Sequence, residues 1–260
     1  MINKEYIPIP RLLSHHTNIN AVKSILISGD GTNKEICFRA YDNLSKNDAN
    51  EIKLGKELLN IIVNRIKENK WGSFLTQATN YENTGSISFT ESSSTLHMKE
   101  EYGNIRLDFD LRNVETDRLF FSKCEYVYIK DINQYANELF NELKNIRTNL
   151  RDDFANLFPK FAILELDILR KPLFIKEPKW EEEKEWRRIV EFKGRDTDTL
   201  IDNHKRYKNV YYPASCLKNI SIIYTVKNNA DIVKYKTELE KFIAEHPIYK
   251  YVTICTELIN

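Results

Sequence analysis

Eight residues in the last third of the chain, Glu181-Glu-Glu-Lys-Glu-Trp-Arg-Arg188, gather four carboxylates and three basic groups around one indole. From Lys184 to Phe192 apolar and polar residues alternate. A strand here puts Trp186, Val190 and Phe192 on one face and Glu183, Glu185, Arg187 and Glu191 on the other. Glu183, Glu185 and Arg187 then point the same way, toward water or a cleft. A solvated charged strand entry would explain the run. The chemical alternative is that two carboxylates beside a guanidinium hold a polar ligand and orient a hydroxyl.

Near the N-terminus, Ser14-His15-His16-Thr17 places two imidazoles between hydroxyls just ahead of a helix start, where free backbone N–H groups could meet an anion. Adjacent side chains on an extended segment point to opposite faces, so one His at most serves a site while the other packs or is solvated. Arg39 lies on a short strand candidate, and its guanidinium suits a phosphate, a carboxylate or an exposed salt bridge. Asn47, Asp48 and Glu51 have a structural role available to them: Asp48-Ala-Asn-Glu51 is a capping box. The order Asp167, then Glu182-x-Lys184, superficially matches the arrangement of restriction-like nucleases, although so short a pattern is common by chance. No Gly-rich phosphate loop, His-Glu-x-x-His helix or Gly-x-Ser-x-Gly elbow occurs, which excludes P-loop NTPases, zincins and α/β-hydrolases.

The elements that must position these residues read as mixed helix and strand. A short helix follows Asn18 or Asn20 and stops near Gly29, and a long one from Ile52 to about Asn69 repeats Leu58, Leu59, Ile62 and Ile66 at helical spacing. A third runs from Asn133 to Phe158, and a fourth from Asp231 to Glu245. Phe161 to Ile175 fits a buried helix or a strand, with helix favoured. Strands are expected at Ile36–Tyr41, Ser86–Thr90, Ile105–Phe109, Cys124–Ile129, Lys184–Phe192, Val210–Tyr212, Ile220–Val226 and Tyr251–Cys255. The polar, charge-mixed stretch Gly194 to Lys208 reads as a surface loop. Together these give one α+β domain over residues 1–260, a central twisted mixed or antiparallel sheet with flanking helices.

Composition narrows the class. Apolar residues make up 42% and charged residues 30% of 260, an ordinary globular profile. With 39 basic against 38 acidic residues, no global field draws the chain to nucleic acid or an anionic membrane. Cys37, Cys124, Cys216 and Cys255 lie far apart, without zinc, redox or disulfide spacing, so no metal site is expected. Charge within Met1–Pro10, and the lack of any apolar run near the ~18 residues of a membrane span, lead to the expectation of a cytoplasmic protein.

Taken in order, Ser14-His-His-Thr17, Asn47-Asp-Ala-Asn-Glu51, Ser88-Phe-Thr-Glu91, Tyr102-Gly103 and Glu183-Lys-Glu-Trp-Arg187 resemble a bacterial family known only as domain of unknown function twenty-nine seventy-one. The resemblance covers most of the chain. His15 matches the His of the family's His-Tyr-Thr motif and His16 departs at its Tyr. Lys99 or a neighbour stands where a Trp is common. The family is similar to ADP-ribosyltransferase-like folds, with members linked to toxins and phage defence. The resemblance therefore implies NAD as a substrate, held by Thr17, Arg39, Tyr102 and Arg187. It makes His15, Glu185 and Glu183 the catalytic group, a Glu steadying the positive charge that develops as nicotinamide leaves. A macromolecular acceptor is implied but not named. The competing readings are a non-catalytic binding or neutralising module and a metal-dependent nuclease. Two juxtapositions are expected: Trp186 buried with Glu185 facing a cleft, and His15 approaching Glu185.

Overall fold

A computed structural model describes residues 7–27, 35–42, 49–71, 83–91, 94–115, 120–150, 153–192, 199–202, 205–226 and 231–259. Asn47 and Asp48 lie outside the described residues, as does the side chain of Glu51, and with them the expected capping box. In chain order the elements are β1 (Leu13–Thr17), α1 (Ile19–Leu26), β2 (Glu35–Asp42), α2 (Ala49–Glu68), β3 (Thr84–Thr90), α3 (Leu96–Tyr102), β4 (Ile105–Phe109), β5 (Phe121–Lys123) and β6 (Glu125–Tyr126). Then come α4 (Ile132–Asn149), α5 (Phe154–Phe174), β7 (Ile175–Lys176), β8 (Glu185–Glu191), β9 (Leu200–Asp202), β10 (Lys205–Pro213), β11 (Leu217–Tyr224), α6 (Ile232–Glu245) and β12 (Thr253–Leu258). The expected α+β class with one mixed sheet and flanking helices holds.

Ten strands join one sheet along the path β12-β11-β4-β1-β3-β2-β10-β9, with β8 on β3 and β5 on β8. Its centre is forked. β8 pairs with β3 over all of Thr84 to Thr90, so β1 and β2 must share the other edge of β3. β1 takes it at Thr90, and β2 at Gly85 and Ser86. Between those points the His15 ring, rather than a strand, meets the Ser88 carbonyl, with Nδ1 at 2.9 Å.

One face of the sheet is apolar. Leu13, Phe38, Phe89, Phe109, Phe121, Trp186 and Tyr212 meet there in a core that also takes Val22 and Leu26 of α1 and Leu239 and Phe242 of α6. Asn18 starts α1 as expected, its carboxamide oxygen accepting from the Ala21 N–H at 3.0 Å. A second core forms where Leu58, Ile62 and Ile66 of α2, Leu139 and Leu143 of α4 and Leu164 and Ile168 of α5 close on Ile189 of β8. Gly55 lets α2 approach α5: a Cβ there would lie 2.2 Å from the Cα of Pro172.

Four expectations are corrected. The helix expected from Asn133 to Phe158 is two helices, α4 and α5, separated after Asn149, and the ambiguous stretch Phe161–Ile175 forms most of α5. Of the strand expected over Cys124–Ile129, only Glu125–Tyr126 forms one, β6, while β5 lies just before that range. The loop expected at Gly194–Lys208 contains, among its described residues, β9 and the start of β10. β9 ends the sheet, and neither it nor the start of β10 contains a buried residue, so no apolar alternation marks them. Finally, Glu183, Glu185 and Arg187 do not face water. The end of α5 and β7 cover that face of β8.

Candidate functional site

The site is built where α5 ends. Its last turn leaves carbonyls without helical partners, and Arg187 Nη1 donates to the Leu173 carbonyl at 2.9 Å. β7 then carries Lys176 under the same face, and a 3-10 turn, Pro178–Glu183, brings the chain back. Lys184 turns it into β8 through a left-handed conformation (φ 44°, ψ 51°). That kink lets Glu183, before the strand, and Glu185, within it, reach one ammonium.

Lys176 Nζ lies 2.7 Å from Glu183 Oε2 and 2.8 Å from Glu185 Oε2. Arg187 holds Glu185 with both arms, Nε to Oε1 at 2.8 Å and Nη2 to Oε2 at 3.1 Å. All four charged residues are 5% exposed or less. Two acids and two bases balance, as removal of charge from water demands. Burial alone would raise the Glu185 carboxyl, but Arg187 and Lys176 outweigh it and hold the group well below the ordinary carboxylate range. Tyr126 accepts the Glu185 N–H through its hydroxyl at 2.9 Å, and Thr90 donates to the Glu183 carbonyl.

Glu183 has the more open position. Its Oε1 accepts from the Tyr102 hydroxyl at 3.0 Å and lies 3.8 Å from His97 Nε2. Burial and the Glu183 charge push the Tyr102 phenol up, so it stays a neutral donor. The His97 ring stacks on Trp180 at 5.1 Å, and Lys176 and Lys179 approach the same indole. His97 Nε2 is buried without a hydrogen-bond partner. Tyr102 and His97 are partly exposed, so aromatic rings stand between the buried carboxylate and the surface.

The two N-terminal imidazoles separate. Phe89 pairs with Trp186 and Thr90 with Glu185, and opposite residues share a face. His15 packs on Phe38 and Phe89, ring centroids 4.9 and 6.0 Å apart, so it lies on the apolar side with Trp186. Glu185 lies on the other side, and the expected approach of His15 to Glu185 does not occur. Thr17, two residues on, alternates onto the side of His15. His16 is the imidazole that shares the face of Glu185. That face runs from Glu185 through Thr90 and Ser14 to Asp108, one residue on each of four neighbouring strands. His16 is opposite Arg106, is nine-tenths buried, and neither ring nitrogen has a partner. Burial, with Arg106 and His15 nearby, brings its pKa down to about 3. Beside it, Arg106 binds Asp108 at 2.9 Å, Ser94 at 2.9 Å and Glu257 at 2.6 Å, and Ser14 donates to Asp108 at 2.7 Å.

Of the residues singled out in the sequence, Glu183, Glu185, Arg187 and Tyr102 thus come together. His15 and Thr17 do not join them. Arg39 lies on β2 beyond its pairing with β3, where it binds Asp202 at 2.8 Å and covers the Tyr207 ring at 4.9 Å. Lys176, His97 and Trp180 were missed. The only sequence signal for Lys176 is a lone base at the end of the apolar run Leu173-Phe-Ile175. Asp167 and Glu182 lie on α5 and in the turn, and no group of three metal-ligating side chains forms among the described residues. No helix among the described residues is long and apolar enough to cross a membrane. No protein-family model, curated protein or solved structure matches the chain.

Proposed function

We propose that this protein uses NAD as a substrate, in the manner of ADP-ribosyltransferase-like proteins, with Glu183 as the catalytic carboxylate. The ribose bond to nicotinamide breaks, and a new one forms from the same carbon to water or to a macromolecular acceptor. One observation carries the reading: an ionisable carboxylate, nearly buried and compensated by Lys176, stands behind the partly exposed rings of Tyr102, His97 and Trp180. The aromatic rings offer faces for a flat heterocycle. The half-exposed His97 ring, stacked on Trp180, supplies one of these faces. When the glycosidic bond to nicotinamide lengthens, positive charge grows on the ribose, and a fixed carboxylate stabilises it more than it stabilises the neutral sugar. Tyr102 and Lys176 hold Glu183 in place, one on each carboxylate oxygen. Glu185 and Arg187 act as positioning residues that hold Lys176. A role as toxin or phage-defence effector goes with this reading through the family resemblance alone.

One observation favours the second reading, a binding module without catalysis: each charge in the cluster already has a partner. The two are separated by incubating the purified chain with NAD and measuring free nicotinamide alongside melting temperature. A ligand that binds only the folded state must raise the melting point. Catalysis predicts both a shift and release, and release is lost in Glu183→Gln. A shift without release selects the binding module, and neither response defeats the NAD reading.

A further inference from the structure

We propose that β12 pairs with β12 of a second copy of this chain, antiparallel, about a two-fold axis through Cys255. β12 ends the sheet order and is joined only to β11, in parallel, from Asn219 opposite Thr253 to Tyr224 opposite Leu258. No described strand occupies its outer edge. An open edge is ordinarily blunted by Lys, Pro, a bulge or shortness. At the other end of the sheet, β9 is only three residues long. β12 has six, Thr-Ile-Cys-Thr-Glu-Leu, without Lys, Arg or Pro and with no bulge in its pairing to β11. Its one charge, Glu257, is turned to Arg106 on the polar face.

The strand is self-complementary. A two-fold axis normal to the sheet and passing through Cys255 sets Cys255 opposite its own counterpart, Ile254 opposite Thr256 and Thr253 opposite Glu257. No like charges meet. In the same register Leu258 (49% exposed) comes opposite Val252 of the second copy, and Tyr251 (81% exposed), just before the strand, comes opposite Ile259, so exposed apolar surface at both ends of the edge is covered. Two-fold pairing of identical patches is also the commonest way soluble chains associate. Cys255 is the one exposed cysteine of the four and reports the register. Its opposed Cβ atoms would lie about 4.5 to 5.5 Å apart, close enough for a disulfide after a small adjustment.

The test is the mass in solution by light scattering or sedimentation under reducing conditions, followed by mild oxidation. A dimer is expected, with a covalent dimer on oxidation that is lost in Cys255→Ser. Thr253→Lys places an ammonium opposite Glu257 of the second copy, and Thr253→Glu places a second carboxylate there. With two such pairs per dimer, the dissociation constant should fall and rise respectively by about five-fold. A chain that stays monomeric at tens of micromolar overturns the proposal. So does a dimer that lacks either the Cys255 cross-link or the opposite responses to the two Thr253 substitutions.

Discussion

Two adjacent histidines take opposite roles because a strand alternates its faces. His15 fills the fork between β1 and β2 and bonds Ser88, while His16 stands unpartnered among Ser14, Arg106 and Asp108. His16 titrates at 6.5 in an unfolded chain and at about 3 in the fold. Below pH 6.5 the unfolded state therefore binds the extra proton, and stability falls as the pH drops through that window. By pH 5 the loss should reach about 2 kcal/mol. Urea unfolding at pH 7 and pH 5 checks this: His16→Leu should be less pH-sensitive than the parent, the remaining slope coming from His15, whose burial lowers its pKa too. Glu185 adds a second window. Its folded pKa lies below the ordinary 4.5, so the stability it contributes is present above 4.5 and is lost as pH falls further. At neutral pH, Glu185→Gln leaves Arg187 and Lys176 under-compensated in a buried setting. It should cost on the order of 3 kcal/mol, read as a lower urea midpoint. A Glu185→Gln protein as stable as the parent would show that the cluster is more solvated than its geometry implies. Trp186→Ala, on the apolar side of the same strand, should cost about 3 to 5 kcal/mol through lost burial and a cavity.

At the level of elements, close approaches decide what the sequence could not express. Ala normally outranks Gly in a helix by up to ~1 kcal/mol. Gly55→Ala should nevertheless destabilise by about 1 to 3 kcal/mol, because the new methyl meets the Pro172 backbone and pushes α2 off α5. A thermal melt of Gly55→Ala at or above the parent's would contradict that packing. The same distinction explains what could be read in advance. Alternation around Trp186 and Phe192 reported a strand and the side its Trp would bury, since both depend on neighbours in sequence. The break between α4 and α5 left no trace, because Leu150 and Phe154 continue the helical spacing across it. β9 and the start of β10 were hidden because strands with no buried residue need no apolar face, whereas Val210–Tyr212, later in β10, was legible. Alternation also could not say what would cover Glu183, Glu185 and Arg187. Their cover depends on the end of α5, on β7 and on the left-handed Lys184, where a non-glycine residue gives no warning.

On the scale of the whole molecule, a forked sheet separates two environments. The apolar face closes on α1 and α6, and the polar face runs from the Glu183–Lys176–Glu185–Arg187 cluster across β3 and β1 to Asp108. The strand path that places Glu183 beside Tyr102, 81 positions earlier, is what makes a site of residues scattered in sequence. The most direct measurement is nicotinamide release from NAD by the parent chain and by Glu183→Gln, with the NAD-induced melting shift recorded for both. The parent should release nicotinamide, and Glu183→Gln should lose on the order of 100-fold or more of that rate while keeping the melting shift. Equal release by the two proteins would contradict the assignment of Glu183, and a parent chain that neither releases nicotinamide nor is stabilised by NAD would contradict the proposed function as a whole.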